Sequence, residues 1–438
     1  MADPFDLYKT PRLLAIVGSN PLPAAVAATL LTAPGGEVTL VCTRTSRRVA
    51  DSLKVWLTGK RIKCAEPLEV QEASMRQTME KVTQRLQRGT GRVGLNYTGG
   101  TKSMSVHVYR AVEDLAQWAK DDPSRQEPIF SYLDARSLGM VFDVQEGEGV
   151  APVVPIPQSL KIGLLELIRM HDWEAINADW KPKGFSDVPI LLEPAQILAE
   201  MYASGTGKGS LYANWKVWKR AFRSDCGRND PINGFEWKSK GELRNKVITF
   251  PDALSSFRAA LPNRILTEGG LNLGRSWAVC NVPPEVICKY LDGTWLESLV
   301  LDALRGIAPK LGMHDYGMNL EVRAPDNVQG QPAVEFELDN VVMRGHQLFA
   351  FSCGTSIEKK ELKLKFFEAY TRAHQIGGDQ ARVALVCPST IPETLEREVR
   401  GDLGREGRVK VFGRSHLADL QGHIHAWIEE QSRPGEAR

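Results

Sequence analysis

The chain is predicted to be an α/β protein in which two sheet-bearing units are joined by a mostly helical connector, and three observations predict it. In residues 1–155 short β-branched runs alternate with amphipathic segments, as in a doubly wound parallel sheet. In residues 156–285 helical periodicity dominates. In residues 286–438 a long amphipathic helix precedes three closely spaced strand runs, a second helix and a further strand. At 438 residues the chain exceeds one compact core, so two or three domains are expected.

In the first unit, Leu13–Val17, Val38–Cys42, Val93–Leu95 and Ile129–Leu133 read as buried parallel strands of a Rossmann-like sheet. Pro23–Leu31, Ser46–Leu57, Ala73–Arg88 and Lys102–Trp118 read as the helices between them. Ligands of such sheets bind beyond the carboxyl ends of the strands. Three turns rich in small and hydroxyl residues fall there: Gly18-Ser19-Asn20-Pro21, Thr43-Arg44-Thr45-Ser46 and Thr98-Gly99-Gly100-Thr101-Lys102. Small residues let main-chain N–H groups approach a phosphate or ribose, and a following helix N-terminus adds a favourable dipole. The candidate ligand-binding residues are therefore Ser19, Asn20, Pro21, Thr43, Thr98, Gly99, Gly100, Thr101 and Lys102. A Thr-Gly-Gly-Thr turn also serves as a plain helix cap, and both readings stand at this point. No G-x-G-x-x-G follows the first strand, which argues against ordinary dinucleotide binding. Gly205-Thr206-Gly207-Lys208 fails as a P-loop, because Gly209 follows the lysine where Ser or Thr is required.

In the connector, Ser159–His171 and Ile190–Ala203 carry helical periodicity, and Gly209–Phe222 interleaves Trp215 and Trp218 with Lys216, Lys219 and Arg220. Such a pattern suits base stacking with phosphate neutralisation, or a helix that buries its tryptophans and exposes its lysines. Ser224–Gly234 is rich in Gly, Asp and Asn and reads as a loop, and a winged-helix module is one arrangement open to the region.

In the third unit, Trp295-Leu296-Glu297 opens the amphipathic helix; Met318–Val322, Val334–Val342 and Gln347–Phe351 read as successive strands. Lys359–His374 is a helix stopped by Gly377-Gly378, followed by a strand at Val383–Cys387 and a helix at Thr394–Leu403. That order is the one of a PD-(D/E)xK restriction-endonuclease-like core. Asp339 lies mid-strand among Leu338, Val341 and Val342, where an acid is costly unless paired or coordinated. Glu335 and Glu337 share its face by strand alternation, and Glu297 on the preceding helix can complete the set. Mg²⁺ or Mn²⁺ takes hard oxygen ligands of this kind, and phosphodiester hydrolysis adds a lysine to orient the nucleophile or balance charge. A solvated acidic face on an edge strand is the competing reading. His346 follows Gly345 in a hairpin turn, and a general-base role for it is the lesser alternative.

The Gly-Ser-Asn-Pro turn and the Asn96-Tyr97-Thr98-Gly99-Gly100-Thr101-Lys102 segment resemble the CRISPR-associated Rossmann fold (CARF) sensor domain, over roughly the first third of the chain. Residues 290–390 resemble the nuclease domain fused to such sensors, through Trp295-Leu296-Glu297, Glu337-Leu338-Asp339, Gly345-His346-Gln347-Leu348, Phe351-Ser352-Cys353, Lys363–Tyr370 and Gln375-Ile376-Gly377-Gly378-Asp379. Together they are similar to the cyclic-oligoadenylate-activated DNA/RNA nucleases of type III CRISPR defence. The resemblance implies a homodimer, cyclic tetra-adenylate as activator bound across the two-fold axis, DNA or RNA as substrate, and Mg²⁺ or Mn²⁺ as cofactor. One departure stands out: the third strand of such nucleases ends in Glu-x-Lys, and this chain has Ser352-Cys353-Gly354. The implied catalytic set is then Asp339, Glu337 and Ser352, with Lys363 or Lys365 replacing the lost lysine from the following helix. The implied metal ligands are Glu297, Asp339 and the Cys353 carbonyl. The departure leaves open a nucleic-acid-binding regulator with an inactive core, and a ring nuclease acting through Thr98–Lys102 is a third class.

Bulk composition constrains these readings. A formal net charge of +2 gives no global pull toward nucleic acid, so contacts must come from local patches. Seven cysteines without a C-x-x-C pair argue against a zinc site or a disulfide framework. The N-terminal residues lack the pattern of a signal peptide and no run approaches the length of a membrane span, so a cytoplasmic protein without membrane contact is expected.

Overall fold

The computed structural model describes residues 3–118, 126–143, 151–177, 191–205, 207, 209–230, 234–325, 334–403 and 408–433. Strands β1 (Thr10–Ile16), β2 (Thr32–Cys42), β3 (Lys63–Cys64), β4 (Leu68–Glu69), β5 (Val93–Asn96) and β6 (Ile129–Asp134) run parallel in the order β3-β2-β1-β5-β6, with β4 also paired to β2. β7 (Gly139–Phe142) and β8 (Val153–Pro155) extend this sheet antiparallel. Helices α1 (Leu22–Leu31), α2 (Arg47–Gly59), α3 (Met75–Gln87) and α4 (Lys102–Trp118) cover both faces. Alternation along β1 shows why: Leu13 and Ala15 pack with α1 and α2, while Leu14 and Ile16 pack with α3 and α4.

The turns after β1 and β5 meet backbone to backbone. A Cβ on Gly99 would lie 2.2 Å from the Ile16 carbonyl oxygen, so only glycine permits the approach.

The short helix α5 (Leu164–Met170) and strand β9 (Glu174–Ala175), which sequence pattern alone assigns to the connector, pack elsewhere. β9 pairs with the third unit's edge strand, and α5 lies in the core shared by the first and third units. The connector proper holds α6 (Leu192–Ala203), α7 (Leu211–Cys226), the hairpin β10 (Gly227–Asp230) and β11 (Gly234–Trp237), and α8 (Lys240–Leu243). A small sheet of β12 (Val247–Ile248), β13 (Leu266–Thr267) and β14 (Gly270–Asn272) follows with α9 (Ser255–Ala260), then α10 (Leu273–Cys280) and α11 (Pro284–Lys289). Gly227–Asp230, expected as loop, is a strand, held by its partner against weak intrinsic β-propensity. Residue 190 of the expected helix, and Thr206 and Lys208 of the rejected P-loop, lie outside the described residues.

The third unit comprises α12 (Trp295–Leu311), β15 (Met313–Ala324), β16 (Val334–Arg344), β17 (Gln347–Cys353), α13 (Lys359–Gly377), β18 (Arg382–Val386), α14 (Pro392–Leu403), β19 (Val409–Phe412) and α15 (Leu420–Gln431). Its sheet runs β19-β18-β17-β16-β15-β9, antiparallel from β9 to β17 and parallel from β17 to β19. Both faces are buried, again with period two. Leu348 and Ala350 join α13, α14 and the first unit in one continuous core, while Phe349 and Phe351 join α12, α15 and the connector in another. The nuclease-like sheet is thus the middle layer of the molecule. Among the described residues no helix is long and apolar enough to cross a membrane.

The Gly99 contact yields a stability prediction. Gly99→Ala should cost about 1–3 kcal/mol, the range for overpacking a filled interior, read by denaturant unfolding. Unchanged stability would show that the two turns separate freely.

Candidate active site and nucleotide cleft

Asp339 sits where β16 changes its alternation. Phe336 and Leu338 face the first unit's core, yet so do Val341 and Met343, so the side-chain alternation reverses between Leu338 and Val341 while the pairing with β15 stays in register. Across the ladder stands Asn319, in the left-handed region at φ 57°. A non-glycine residue holds that conformation only when its surroundings demand it. The Asn319 amide lies 3.0 Å from Glu297 Oε2 and 3.3 Å from Glu337 Oε1, and hydrogen-bond chemistry turns its NH₂ group toward both. The reversal brings Asn340 under α12, where its amide donates to the Glu297 carbonyl oxygen at 3.2 Å.

The Asp339 carboxylate is held from three directions. The Cys353 N–H donates to Oδ2 at 2.7 Å, the Ser352 hydroxyl donates at 3.4 Å, and Lys365 Nζ stands 3.1 Å away. Lys365 also donates to the Cys353 carbonyl oxygen. Its ammonium therefore bridges two of the three oxygens expected to hold a metal. Lys363 is not brought to the site: it pairs with Asp402 at 2.8 Å and Glu398 at 3.7 Å. Glu335 is likewise drawn away, to Arg323 Nε at 2.8 Å. His346 is buried in the β16–β17 turn, where burial and the Arg382 charge lower its pKa to about 4.

The electrostatics are those of crowded acids. Burial, reinforced by Asp339, pushes the Glu297 carboxyl well above its ordinary range; Glu337 is raised by burial, Asp339 and Glu321. Burial alone would lower Lys365, but Asp339 and its other neighbours outweigh it and keep the ammonium above its ordinary value. The Cys353 thiol is buried and pushed well up by burial and by Asp339, so it stays protonated and only its carbonyl is a ligand candidate.

The donor set, two carboxylates and a main-chain carbonyl, suits a hard divalent cation. Two of its oxygens already hold a cation in the form of the Lys365 ammonium. Among the described residues no three His, Cys, Asp or Glu side chains gather closely enough to hold a metal as they stand. The chemistry fits, while the present spacing serves the lysine.

A second cavity, of about 1460 Å³, opens at the carboxyl ends of β1 and β5. Ser19, Asn20, Thr98, Gly99 and Gly100 line it, as expected from sequence. The Thr98 hydroxyl, however, accepts from the Leu133 N–H at 2.7 Å and donates to Asn96 at 2.9 Å, a structural role. Pro21 is the N-cap residue of α1. Thr43, Thr101 and Lys102 do not line the cavity: Thr43 bonds within its own turn, and the Thr101 hydroxyl donates to Glu72 at 2.7 Å. Sequence gave no sign of the opposite wall, which comes from the third unit and includes His374, Gly378, Arg382 and Arg408, with Arg136 from the first.

Part of that wall, from His374 to Gly378, is the far end of α13, the helix that carries Lys365. Its C-cap Gly378 has φ 62°, and a Cβ there would meet Asn20 Nδ2 at 2.1 Å. His171, lowered by burial to about 4 and so neutral, lies 2.9 Å from the Ile376 carbonyl oxygen through Nε2 and also engages the Ser19 main chain. The β1–α1 turn is thus fastened directly to the end of α13, about 18 Å of helix from Lys365.

Residues 285–431 match the family model of the Card1-like endonuclease domain. The C-terminal part of this chain is similar to Card1-like endonuclease domains. It follows a Rossmann-like unit, the order of folds expected from the sequence. The solved structure of protein VC1899 from Vibrio cholerae shares the fold at TM-score 0.67, over 97% of this chain and 99% of that one, with 15% identity. Can2 from Sulfobacillus thermosulfidooxidans, solved in complex with cyclic tetra-adenylate, shares it at TM-score 0.61 over 97% and 99%, with 13% identity. At such identities the likeness is one of fold. No curated protein matches the sequence.

The raised carboxyl groups predict how stability changes with pH. A folded state that holds protons more tightly than the unfolded chain loses stability as pH rises from the ordinary carboxylate range through the raised pKa. Glu297→Gln, which cannot ionise, should flatten the fall in melting temperature between pH 5 and 8 in metal-free buffer, each tenfold difference in acidity corresponding to about 1.4 kcal/mol. Parallel wild-type and variant curves would show that Glu297 is an ordinary surface acid.

Proposed function

We propose that the chain is a cyclic tetra-adenylate-activated, Mg²⁺- or Mn²⁺-dependent endonuclease of type III CRISPR antiviral defence, cleaving phosphodiester bonds in DNA, RNA or both. The observation that carries this reading is α13, which presents Lys365 to Asp339 near one end and walls the Rossmann cavity with the other. The endonuclease domain gives the reaction class. For the activator, support comes from the fold shared with Can2, which was solved with that ring, and from a cavity larger than the roughly 300–1,000 Å³ of drug-sized ligand sites. Arg136, Arg382 and Arg408 give it cationic walls suited to phosphates. A ring of four like units also suits a two-fold axis, so a homodimer is part of the proposal.

A ligand shifts an equilibrium only by binding its two states unequally. An occupied cavity would press on the Ser19–Asn20 turn and on the Gly378 cap together, and displacement of α13 changes the hold of Lys365 on Asp339 and the Cys353 carbonyl. Glu297, Asp339 and that carbonyl would hold the metal, which supplies a hydroxide nucleophile at neutral pH and neutralises charge on the scissile phosphate. Glu337, with its raised pKa, is suited to take the proton released at the nucleophile. Lys365, kept charged, offsets the phosphate charge from the side of β17. Ser352 and the Cys353 N–H fix the Asp339 carboxylate.

Cleavage of supercoiled plasmid and single-stranded RNA with Mn²⁺, with and without cyclic tetra-adenylate, tests the reading. Cutting is expected only with the ring. Asp339→Ala and Lys365→Ala should each lose about 10²-fold or more, whereas Lys363→Ala stays near wild type. Cutting that ignores the ring, or equal losses from the two lysines, would contradict the assignment.

A further inference from the structure

Helix α7 carries Lys216, Lys219, Arg220 and Arg223 at three- and four-residue spacing, one stripe along its surface. Its opposite face buries Tyr212, Trp215, Trp218 and Phe222, which fixes the stripe's direction. The stripe borders two adjoining hollows. One, of about 350 Å³, reaches Glu297, Cys353 and Lys365; the other, of about 410 Å³, runs along Lys216, Arg220 and the Thr355–Glu358 turn. Lys219, Arg223, Thr355 and Ser356 line both, so a single groove leads from the acid cluster along α7.

The charges along this groove are unequally spent. Lys219 and Arg223 converge on Asp292, Lys219 at 3.1 Å, so one carboxylate faces two cations. Lys216 and Arg220 are exposed and make no ion pair among the described residues. Lys289 adds a further cation at the acid end, while Glu358 and Glu361 stand on the opposite lip, Glu361 accepting from the Ser356 hydroxyl at 2.7 Å. Cations therefore line one wall and continue away from the acids, where a chain entering the site would have to lie.

We propose that this groove is the path of a single-stranded nucleic acid, whose phosphates beyond the scissile bond are gripped by Lys216, Lys219, Arg220 and Arg223. One row of cations over about 10 Å of helix matches one row of phosphates, whereas a duplex presents two. The inference rests on the nuclease reading for the place of the scissile bond, but binding and cutting are separable.

The test is fluorescence anisotropy of labelled 20-nucleotide DNA and RNA single strands, and of the duplex, with full-length protein in EDTA over a range of salt. Lys216→Gln/Arg220→Gln should weaken single-strand binding about tenfold and lower the slope of log K against log salt by about 1.4, two contacts at about 0.7 each. Lys216→Glu/Arg220→Glu should weaken it further, with melting temperature as the check on folding. Wild-type affinity and slope in both variants, or no single-strand binding by wild type, would overturn the groove. Duplex binding as tight and as dependent on these residues would overturn the single-strand assignment. Binding that depends on α7 without any cutting would sink the nuclease reading alone, and cutting indifferent to both substitutions would sink the groove alone.

Discussion

A carboxylate set inside an apolar strand needs a counter-charge, and Asp339 receives it from Lys365 on another element. Lys365 in turn can reach Asp339 only while α13 packs against β17 through Leu362 and Phe366, both buried. The acid cluster, the reversed alternation in β16 and the position of α13 therefore stand or fall together. Asn319 shows the same dependence from the other side: its left-handed backbone is tolerated because its amide bridges Glu297 and Glu337. Removing any one of these contacts would leave buried charge uncompensated.

The second constraint is that the nuclease sheet has no free face. One side shares its core with the Rossmann unit and the other with the connector, so neither neighbour can move without repacking the sheet or sliding its covering helices. Interiors this full respond by discrete rearrangement of whole elements more readily than by gradual deformation. α13 is placed for such a response, with His171 and Gly378 at the cavity end and Lys365 at the acid end.

Much of this was legible in the sequence. The β-branched runs and the glycine turn after β5 each obey a local rule, and the structure places them where those rules put them. What was not legible depends on tertiary packing. Lys363 and Lys365 are two residues apart on one helix and so point about 200° apart, and only the packing of α13 decides which one meets Asp339. Asn319 left one weak sign, a poor strand former between Met318 and Leu320. The cavity's far wall comes from residues hundreds of positions away, so local pattern could not reveal Arg382 or Arg408. Thr43, Thr101 and Lys102 fit the chemistry of a phosphate site, yet the Thr43 hydroxyl is occupied within its own turn, the Thr101 hydroxyl by Glu72, and Lys102 is exposed outside the cavity.

Hydrogen–deuterium exchange of the full chain, with and without cyclic tetra-adenylate, addresses the coupling most directly. The account predicts altered exchange at the Gly18–Asn20 turn, along the whole of Lys359–Gly377, and at Ser352–Gly354 beside Asp339. Changes confined to the cavity turns, with the Lys365 half of α13 and the end of β17 unaltered despite bound ligand, would contradict it.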